Sequence, residues 1–213
     1  ELVDFIDWTP FFQTWDLHGK YPAILEDEIV GEQAKVLYAD AQKMLSDIVA
    51  ENWFIAKGVY GVFPANTVND DDVQLYKEDG SLNVRFLTLR QQSQKTKGAP
   101  NIALSDFIAP KEAGITDYMG AFCVTTGFGV DEIAADFEKE HDDYNSIMVK
   151  ALGDRLAEAF AEYLHLKVRT EIWGYAADEH LSNNELIKEQ YQGIRPAPGY
   201  PACPDHLEKK TIW

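Results

Sequence analysis

The sequence has few cysteines and no long apolar run, and each scarcity excludes a class of protein. Among its 213 residues only Cys123 and Cys203 are cysteines. A chain of this length is not built on a disulfide framework with so few, which predicts free thiols and a cytoplasmic location. No apolar run approaches the roughly 20 residues that a membrane helix needs, so we expect no membrane partner.

Basic residues are also scarce. The chain has 19 Lys and Arg against 36 Asp and Glu, which gives a formal net charge of −17. Because nucleic-acid binding requires a basic face that neutralises phosphates, the charge predicts that no nucleic acid is a partner. An acidic surface instead favours a partner with a positive patch. With 46% hydrophobic and 12% aromatic residues, the composition is typical of a packed domain rather than a disordered acidic tail.

The sequence of the first half predicts an aromatic segment, followed by a helix and then by strands. Residues 1–28 are rich in aromatics but interrupted by prolines, so they must bury their rings against a larger body. A helix is expected over 29–52, with Asn52 as its stop, because apolar residues recur at steps of three and four. Strands are expected at 56–63, 73–76, 84–89 and 118–125, with a hairpin turn at Asp79-Gly80. Consecutive strands without an intervening helix favour an antiparallel meander.

The second half is predicted to be helical until its last part. An apolar stripe runs from Tyr144 and Ile147 to Tyr163, with Glu158 and Glu162 as a charged edge, and another helix is expected at 183–190. Residues 193–205 then hold four prolines and two glycines, which exclude a helix or a central strand.

Arg195 lies inside this Pro/Gly segment and is the strongest candidate for ligand binding. Prolines at 196 and 198 reduce the entropy that is lost when the loop is ordered, and Gly199 permits close approach of backbone to a ligand. The planar guanidinium suits a carboxylate or a phosphate, and Tyr200 adds a flat face. A rigid surface connector whose arginine faces water explains the same composition. Asp7, among aromatics, is either a ligand acceptor or the cap of a local turn.

Two Glu-x-x-His pairs, Glu138–His141 and Glu162–His165, raise the alternative of a di-iron site. On one straight helix the two pairs would lie roughly 36 Å apart, so convergence requires a break near Asp142. The sequence has no His-Glu-x-x-His or Cys-x-x-Cys motif for zinc. We therefore predict no metal ligands, and we identify no catalytic residue.

Three segments carry a resemblance to a known family. They are Asp7-Trp8-Thr9-Pro10-Phe11-Phe12 with Trp15, Gly61-Val62-Phe63-Pro64-Ala65-Asn66, and Arg195-Pro196-Ala197-Pro198-Gly199-Tyr200-Pro201. In this order they resemble the C-terminal activation domain of cobalamin-dependent methionine synthase, over essentially all of residues 1–213. The resemblance implies an α+β fold: a C-shaped single domain with a central antiparallel sheet flanked by helices. It also implies that the family's domain continues beyond Trp213, so that this chain is a truncated piece of it.

The resemblance implies a function in methionine biosynthesis. Such domains bind S-adenosylmethionine, which donates a methyl group to reactivate an enzyme whose cobalamin has been oxidised to cob(II)alamin. The methyltransferase activity belongs to the full-length chain. The implied partners are the cobalamin-binding domain of the same polypeptide, which holds most of the cobalamin, and a flavodoxin-type electron donor. Zinc is expected only in another domain.

The resemblance also assigns roles to residues. Arg195 is expected to bind the carboxylate of the ligand, and Asp7 another polar group of it. Backbone atoms of Ala197 and Gly199 are expected to contact the ligand, and Tyr200 to line the face towards the corrin. Glu158 and Glu189 match acidic positions near the amino group. A different function remains open, namely a non-catalytic acidic docking module for a flavoprotein electron donor.

Overall fold

The computed structural model describes residues 1–212, so Trp213, the last residue of the predicted domain, lies outside the description. The α-helices are α1 Thr9–Thr14, α2 Gly31–Glu51, α3 Val130–Lys139, α4 Asp143–Lys167, α5 Asn183–Ile187 and α6 Lys209–Ile212, and α4 continues into a π-helix, Val168–Ile172. The strands are β1 Ile55–Val68, β2 Asp72–Tyr76, β3 Leu82–Leu87 and β4 Asp117–Phe128. Short 3-10 helices span Leu2–Phe5, Ala23–Glu26, Leu104–Phe107, Lys111–Ala113 and His206–Glu208.

The chain forms two compact units. The first unit contains Glu1–Val59 and Cys123–Gln192, and the second contains Tyr60–Phe122 and the residues from Gly193 onward. The first unit holds the larger apolar cluster, to which α2, α4 and the N-terminal segment contribute. The apolar cluster of the second unit is smaller and consists of Ala65, Val73, Leu75, Phe86, Ile108 and Met119.

The aromatic N-terminal segment is packed as the sequence predicts. Phe11 and Phe12 are fully buried, and the ring of Trp8 meets that of Tyr38 on α2 edge to face, with 4.9 Å between centroids. Pro10 lies in the first turn of α1, where a missing N–H costs nothing because that turn has no acceptor for it. The segment is therefore held by its rings rather than by long regular structure.

Helix α2 confirms the predicted amphipathic helix and its stop. Its buried residues Ala34, Leu37, Ala41, Leu45 and Ile48 follow the expected spacing. Before the helix, Asp27 accepts hydrogen bonds from the N–H groups of Val30 and Ile29, which lower the pKa of its carboxyl group. Asn52 ends the helix with a φ of 55°. Asparagine tolerates this left-handed conformation better than most residues.

The four strands form one antiparallel sheet in the order β3-β2-β1-β4. The hairpin between β2 and β3 turns at Asp79-Gly80, where Gly80 has a φ of 79° and Asp79 accepts from the N–H of Ser81. The predicted meander is correct for β1 to β3 but wrong for β4, which neighbours β1. The reason is the connection over 91–115, which returns beside β1: the N–H of Thr67 donates to the carbonyl of Ala109 at 3.0 Å.

Helices α3 and α4 form in the predicted helical region, with a break between them. Asp142 caps α4 by accepting from the N–H of Asn145 at 3.0 Å. Met148, Ala151, Leu152 and Ala159 are buried as expected, whereas Tyr144 and Ile147 remain exposed. Glu162 was predicted on a charged edge, but it is buried because it lies on the inward side of the last turns of α4. The predicted helix at 183–190 is shorter and ends at Ile187.

Within residues 1–212, no helix has both the length and the apolar character that crossing a lipid bilayer requires.

Candidate functional site

The Pro/Gly segment folds into two consecutive turns that its own backbone closes. The N–H of Tyr200 donates to the carbonyl of Ala197 at 3.0 Å, and the N–H of Cys203 donates to the carbonyl of Tyr200 at 2.9 Å. A third bond, from the N–H of Gly199 to the carbonyl of Cys203, measures 2.8 Å. These bonds need no other element of the protein. Residues 197–203 are therefore ordered locally, and we call the whole segment over residues 193–204 the Arg195 loop.

Gly199 is required at its position for two reasons. Its φ of 106° lies in the region that residues with a side chain rarely adopt. In addition, a β-carbon placed there would lie 2.5 Å from Cε1 of His206. The imidazole of His206 therefore packs directly on the backbone of Gly199. This close contact fixes the tip of the Arg195 loop against the 3-10 helix that follows it.

Arg195 is half-buried, and its Nε is shielded from solvent. An arginine in this environment has lost part of its hydration, which strengthens its attraction for an anion. The interpretation as a rigid connector whose arginine points into water fits this burial poorly. Pro196 follows Arg195 directly and restricts the backbone conformations available to it.

The exit of the Arg195 loop is also fixed. Asp205 accepts from the N–H of Leu207 at 2.8 Å and so caps the 3-10 helix His206–Glu208. Cys203 is buried, and this burial, with the charges of Glu208 and Asp205, raises the pKa of its thiol. A raised pKa keeps the thiol protonated, so Cys203 contributes packing rather than a reactive thiolate.

Tyr200 and Ala197 are exposed residues of the loop. The Tyr200 side chain is 60% exposed, although it is large and aromatic. Ala197 is exposed as well, and its carbonyl is already used by the turn. The three hydrogen bonds that close the loop use neither the N–H of Ala197 nor the carbonyl of Gly199. An exposed aromatic face beside them is a typical feature of a binding surface.

Asp7 lies in the first unit and caps a turn. Its Oδ1 accepts from the N–H of Thr9 at 2.9 Å, at the start of α1. Of the two interpretations that the sequence left open, this bond favours the cap. The bond uses one carboxylate oxygen, so Asp7 can cap the turn and still accept from a ligand through Oδ2.

Glu158 and Glu189 are exposed residues of the first unit. Glu158 lies on the solvent side of α4, next to the buried Ala159. Glu189 follows α5 with a φ of 54°, and its N–H donates to the carbonyl of Leu186 at 2.8 Å. The predicted ligand-binding residues therefore belong to both units. The first unit contains Asp7, Glu158 and Glu189. The second unit contains Arg195, Ala197, Gly199 and Tyr200.

The di-iron alternative finds no support in the packing of the two Glu-x-x-His pairs. Glu138 accepts from Ser146 and from Lys150, at 2.8 and 2.7 Å, and these bonds lower the pKa of its carboxyl group. Glu162 and His165 are buried within α4, 24 positions further along. In the part of the chain described, no three His, Cys, Asp or Glu side chains are grouped to hold a metal ion.

Sequence reasoning missed His206, which packs on Gly199, because a histidine after a loop has no distinctive spacing. It also missed a buried arginine, Arg169, whose guanidinium lies 4.2 Å from the centre of the Tyr191 ring. The local sequence gives little signal of its burial, because Lys167 and Glu171 flank Arg169 in a segment of mixed polarity. Such a residue is rarely buried unless it is paired.

Two depressions are also present in the first unit, and neither involves the predicted residues. One, of about 350 Å³, lies beside Trp53, Phe128 and Gly129. The other, of about 340 Å³, is lined by Thr126, Lys150 and Asp154 among others.

The fold and the loop define a class: an α+β domain with one four-stranded antiparallel sheet flanked by helices, and with an arginine carried on a proline-rich loop. Residues 1–213 match the family described as vitamin B12 dependent methionine synthase, activation domain. The chain belongs to this family. The predicted α+β fold with an antiparallel sheet is thereby confirmed.

A solved structure supports the same assignment. It is described as the crystal structure of the MetH reactivation domain bound to AdoHcy, and it is 58% identical to this chain with a TM-score of 0.93. The match covers 100% of this chain and 65% of that one. The chain thus spans about two thirds of the length of the solved protein.

Proposed function

We propose that this chain binds S-adenosylmethionine through Arg195, and that this binding serves the reactivation of a cobalamin-dependent methionine synthase. The observation that carries the proposal is a half-buried Arg195, placed two residues before turns that are closed by their own hydrogen bonds. A loop that is ordered before the ligand arrives loses little entropy on binding. The bound AdoHcy of the similar MetH reactivation domain supports a ligand of this class.

The chemistry of the ligand matches that of the loop. The amino-acid end of S-adenosylmethionine carries a carboxylate, and the planar fork of Arg195 can bind both of its oxygens. The sulfonium is positive, and a chain with a net charge of −17 provides a favourable field for a cation. Arg195 therefore determines the orientation, and the acidic surroundings tolerate the positive sulfur.

The neighbouring groups complete the proposed contacts. The N–H of Ala197 and the carbonyl of Gly199, which the three closing bonds of the loop do not use, would offer one donor and one acceptor. The exposed ring of Tyr200 provides the apolar face that would be presented to the corrin. Asp7 would contribute Oδ2 to a polar group of the ligand.

Glu158 and Glu189 are proposed as acidic residues near the amino group of the ligand. Both are exposed, so their contribution is a screened attraction rather than a tight ion pair. We therefore expect either residue to contribute much less to affinity than Arg195.

The contribution of this chain to the reaction would be positioning. Methyl transfer breaks the bond between sulfur and the methyl carbon and converts the sulfonium into the thioether of AdoHcy, and it requires no side-chain base. Cobalamin, held mainly by another domain, would supply the metal nucleophile that accepts the methyl group, and the one electron that reduces cob(II)alamin to this nucleophile would come from the flavodoxin-type donor. Holding the donor in one orientation lowers the barrier because the loss of freedom has already occurred on binding.

The methyltransferase activity, the cytoplasmic location and the partners belong to the same proposal. The partners are a cobalamin-binding domain of the same polypeptide and a flavodoxin-type electron donor. The acidic composition also favours a second function, a non-catalytic docking surface for that donor. A docking surface of this kind predicts protein binding that weakens with salt and requires no small ligand.

The proposal is tested by calorimetric titration with S-adenosylmethionine and with AdoHcy. Arg195→Ala should raise the dissociation constant about 30- to 150-fold, since a hydrogen-bonded charged contact contributes about 2–3 kcal/mol. Arg195→Lys should fall between wild type and Arg195→Ala, because lysine keeps the charge but loses the bidentate geometry.

Arg85→Ala is the matched control. Arg85 lies in the same unit, pairs with Asp72 on the sheet, and its loss changes the net charge equally. This control should bind AdoHcy as the wild type does. Equal affinities of wild type and Arg195→Ala, or absence of binding by the wild type, would contradict the proposal.

A further inference from the structure

The ring of Tyr191, four positions before Arg195, is held from two directions. The guanidinium carbon of Arg169 lies 4.2 Å from the ring centre, which is a cation–π contact. The ring of His165 meets the same ring nearly at a right angle, with 4.8 Å between centroids. Arg169 is fully buried and His165 is 5% exposed. The aromatic ring is thus fixed by two groups that have little freedom to move.

Arg169 is fixed in turn by a carboxylate. Its Nε donates to both oxygens of Glu179, at 3.2 and 3.0 Å, and its Nη2 donates to Oε1 at 2.7 Å. Its carbonyl accepts from the N–H of Ala176 at 2.9 Å. Burial of such a pair costs desolvation that the attraction between the charges barely offsets, so it contributes little to stability by itself. The contribution of the ion pair is therefore to hold the side chain of Arg169 in one orientation.

The backbone over 189–192 is also tied to the first unit. The N–H of Gln190 donates to the carbonyl of Glu185 at 3.0 Å, and the Tyr175 hydroxyl donates to the carbonyl of Gln192 at 3.3 Å. Arg169 lies in the π-helix that ends α4, and insertions of this kind redirect side chains and are frequent at functional sites. The segment that leads into the Arg195 loop is thus held by side chain and backbone together.

The Arg195 loop needs such a fixed start. Downstream of Arg195, Pro196 and Pro198 restrict the chain. Upstream, Gly193 has a φ of 94°, and because it has no side chain its backbone is less restricted than that of other residues. Without a fixed point before Gly193, Arg195 would lose more conformational freedom when it binds a ligand.

We propose that Arg169, acting through the ring of Tyr191, is a positioning residue that fixes the start of the Arg195 loop. This inference rests on the proposed function, since its consequence is a higher affinity for S-adenosylmethionine and AdoHcy. The effect is expected at the ligand although Arg169 itself is buried in the first unit. Tyr191 transmits it along the chain over four residues.

The test uses Tyr191→Leu and Tyr191→Phe. Direct replacement of Arg169 would leave Glu179 buried without its partner and risks misfolding. Tyr191→Leu removes the aromatic face and should raise the dissociation constant for AdoHcy about five- to tenfold. Hydrogen exchange of the Gln190 amide, which donates to the carbonyl of Glu185 directly before Tyr191, should become faster, while the global unfolding temperature changes little. Tyr191→Phe keeps the ring and should restore both readouts to near the wild-type values.

Tyr144→Leu is the control, because its ring also packs on an aromatic residue of the first unit, Trp15, at 5.1 Å. It should change neither the exchange of the Gln190 amide nor the affinity for AdoHcy. Unchanged exchange and affinity in Tyr191→Leu would overturn the positioning role. Absence of AdoHcy binding by the wild type would instead contradict the proposed function, and the exchange measurement separates these two failures because it needs no ligand.

Discussion

The two units of this chain achieve order by different means. The first unit packs α2, α4 and the N-terminal aromatic segment around a large apolar cluster in which Phe11, Phe12 and Leu152 are fully buried. The second unit has a small cluster and depends on local devices, among them the turns of the Arg195 loop and an arginine held by two carboxylates. A binding loop can therefore be stiff without lying in a large core.

The largest expected effect is on the core of the first unit. Phe12→Ala should reduce the free energy of unfolding by about 3–5 kcal/mol, because it removes a fully buried ring. Phe86→Ala removes the same side chain from the smaller cluster of the second unit and should cost less, since fewer neighbours lose contacts. Urea unfolding measures both values. Equal costs would contradict the difference between the two units.

A smaller effect is expected at the tip of the Arg195 loop. Gly199→Ala introduces a β-carbon 2.5 Å from His206 at a φ of 106°. The resulting distortion of the loop should cost about 1–3 kcal/mol. We expect the affinity for AdoHcy to fall about tenfold. Adding His206→Ala should recover only the part of the affinity loss that comes from the clash with the imidazole, because the strain of the positive φ remains.

The control for this substitution is Gly80→Ala in the β2–β3 hairpin. Its φ is 79°, but nothing lies within 4 Å of the new β-carbon. It should destabilise the hairpin slightly and leave AdoHcy binding unchanged. If Gly199→Ala binds AdoHcy as well as Gly80→Ala does, the tip of the loop is not a ligand contact.

The smallest effect is expected on the free energy of unfolding at acid pH. Arg90 donates to both Asp106 and Asp71, and the hydrogen bonds from Arg90 hold the pKa of Asp106 below its ordinary value of 3.8. The stability from this contact is present above that ordinary pKa and is lost as the pH falls through the lower folded value.

Asp106→Asn and Arg90→Met should both flatten the decline of unfolding free energy below about pH 4. Because the side chains are about one third exposed, the difference should stay below about 1 kcal/mol. Urea unfolding at several pH values provides the measurement. A decline in either variant as steep as in the wild type would show that this ion pair does not help to order the second unit.

Sequence patterns predicted the parts of the fold that depend on local periodicity or turn chemistry. The stripe of α2, its end at Asn52 and the Asp79-Gly80 hairpin are of this kind, and all three are confirmed. The position of β4 beside β1 was not predictable, because it depends on the path of the long connection over 91–115. The burial of Glu162 was missed for a related reason, since spacing along α4 does not specify what packs against each side.

The candidate site also has parts that local sequence predicts and parts that depend on tertiary packing. The stiffness of the Arg195 loop follows from its prolines, and its closing hydrogen bonds agree with that expectation. The cap made by Asp7 was one of two interpretations that the sequence allowed. The contact of Tyr191 with Arg169 joins residues 22 positions apart through a π-helix, and no simple pattern encodes it.

The most direct measurement is a crystal structure of this protein with AdoHcy bound. We expect the nitrogens of the Arg195 guanidinium to lie about 2.7–2.9 Å from the carboxylate oxygens of the ligand, as in other charge-assisted pairs. A ligand whose carboxylate is bound elsewhere, with Arg195 contacting only protein or solvent, would contradict the central assignment.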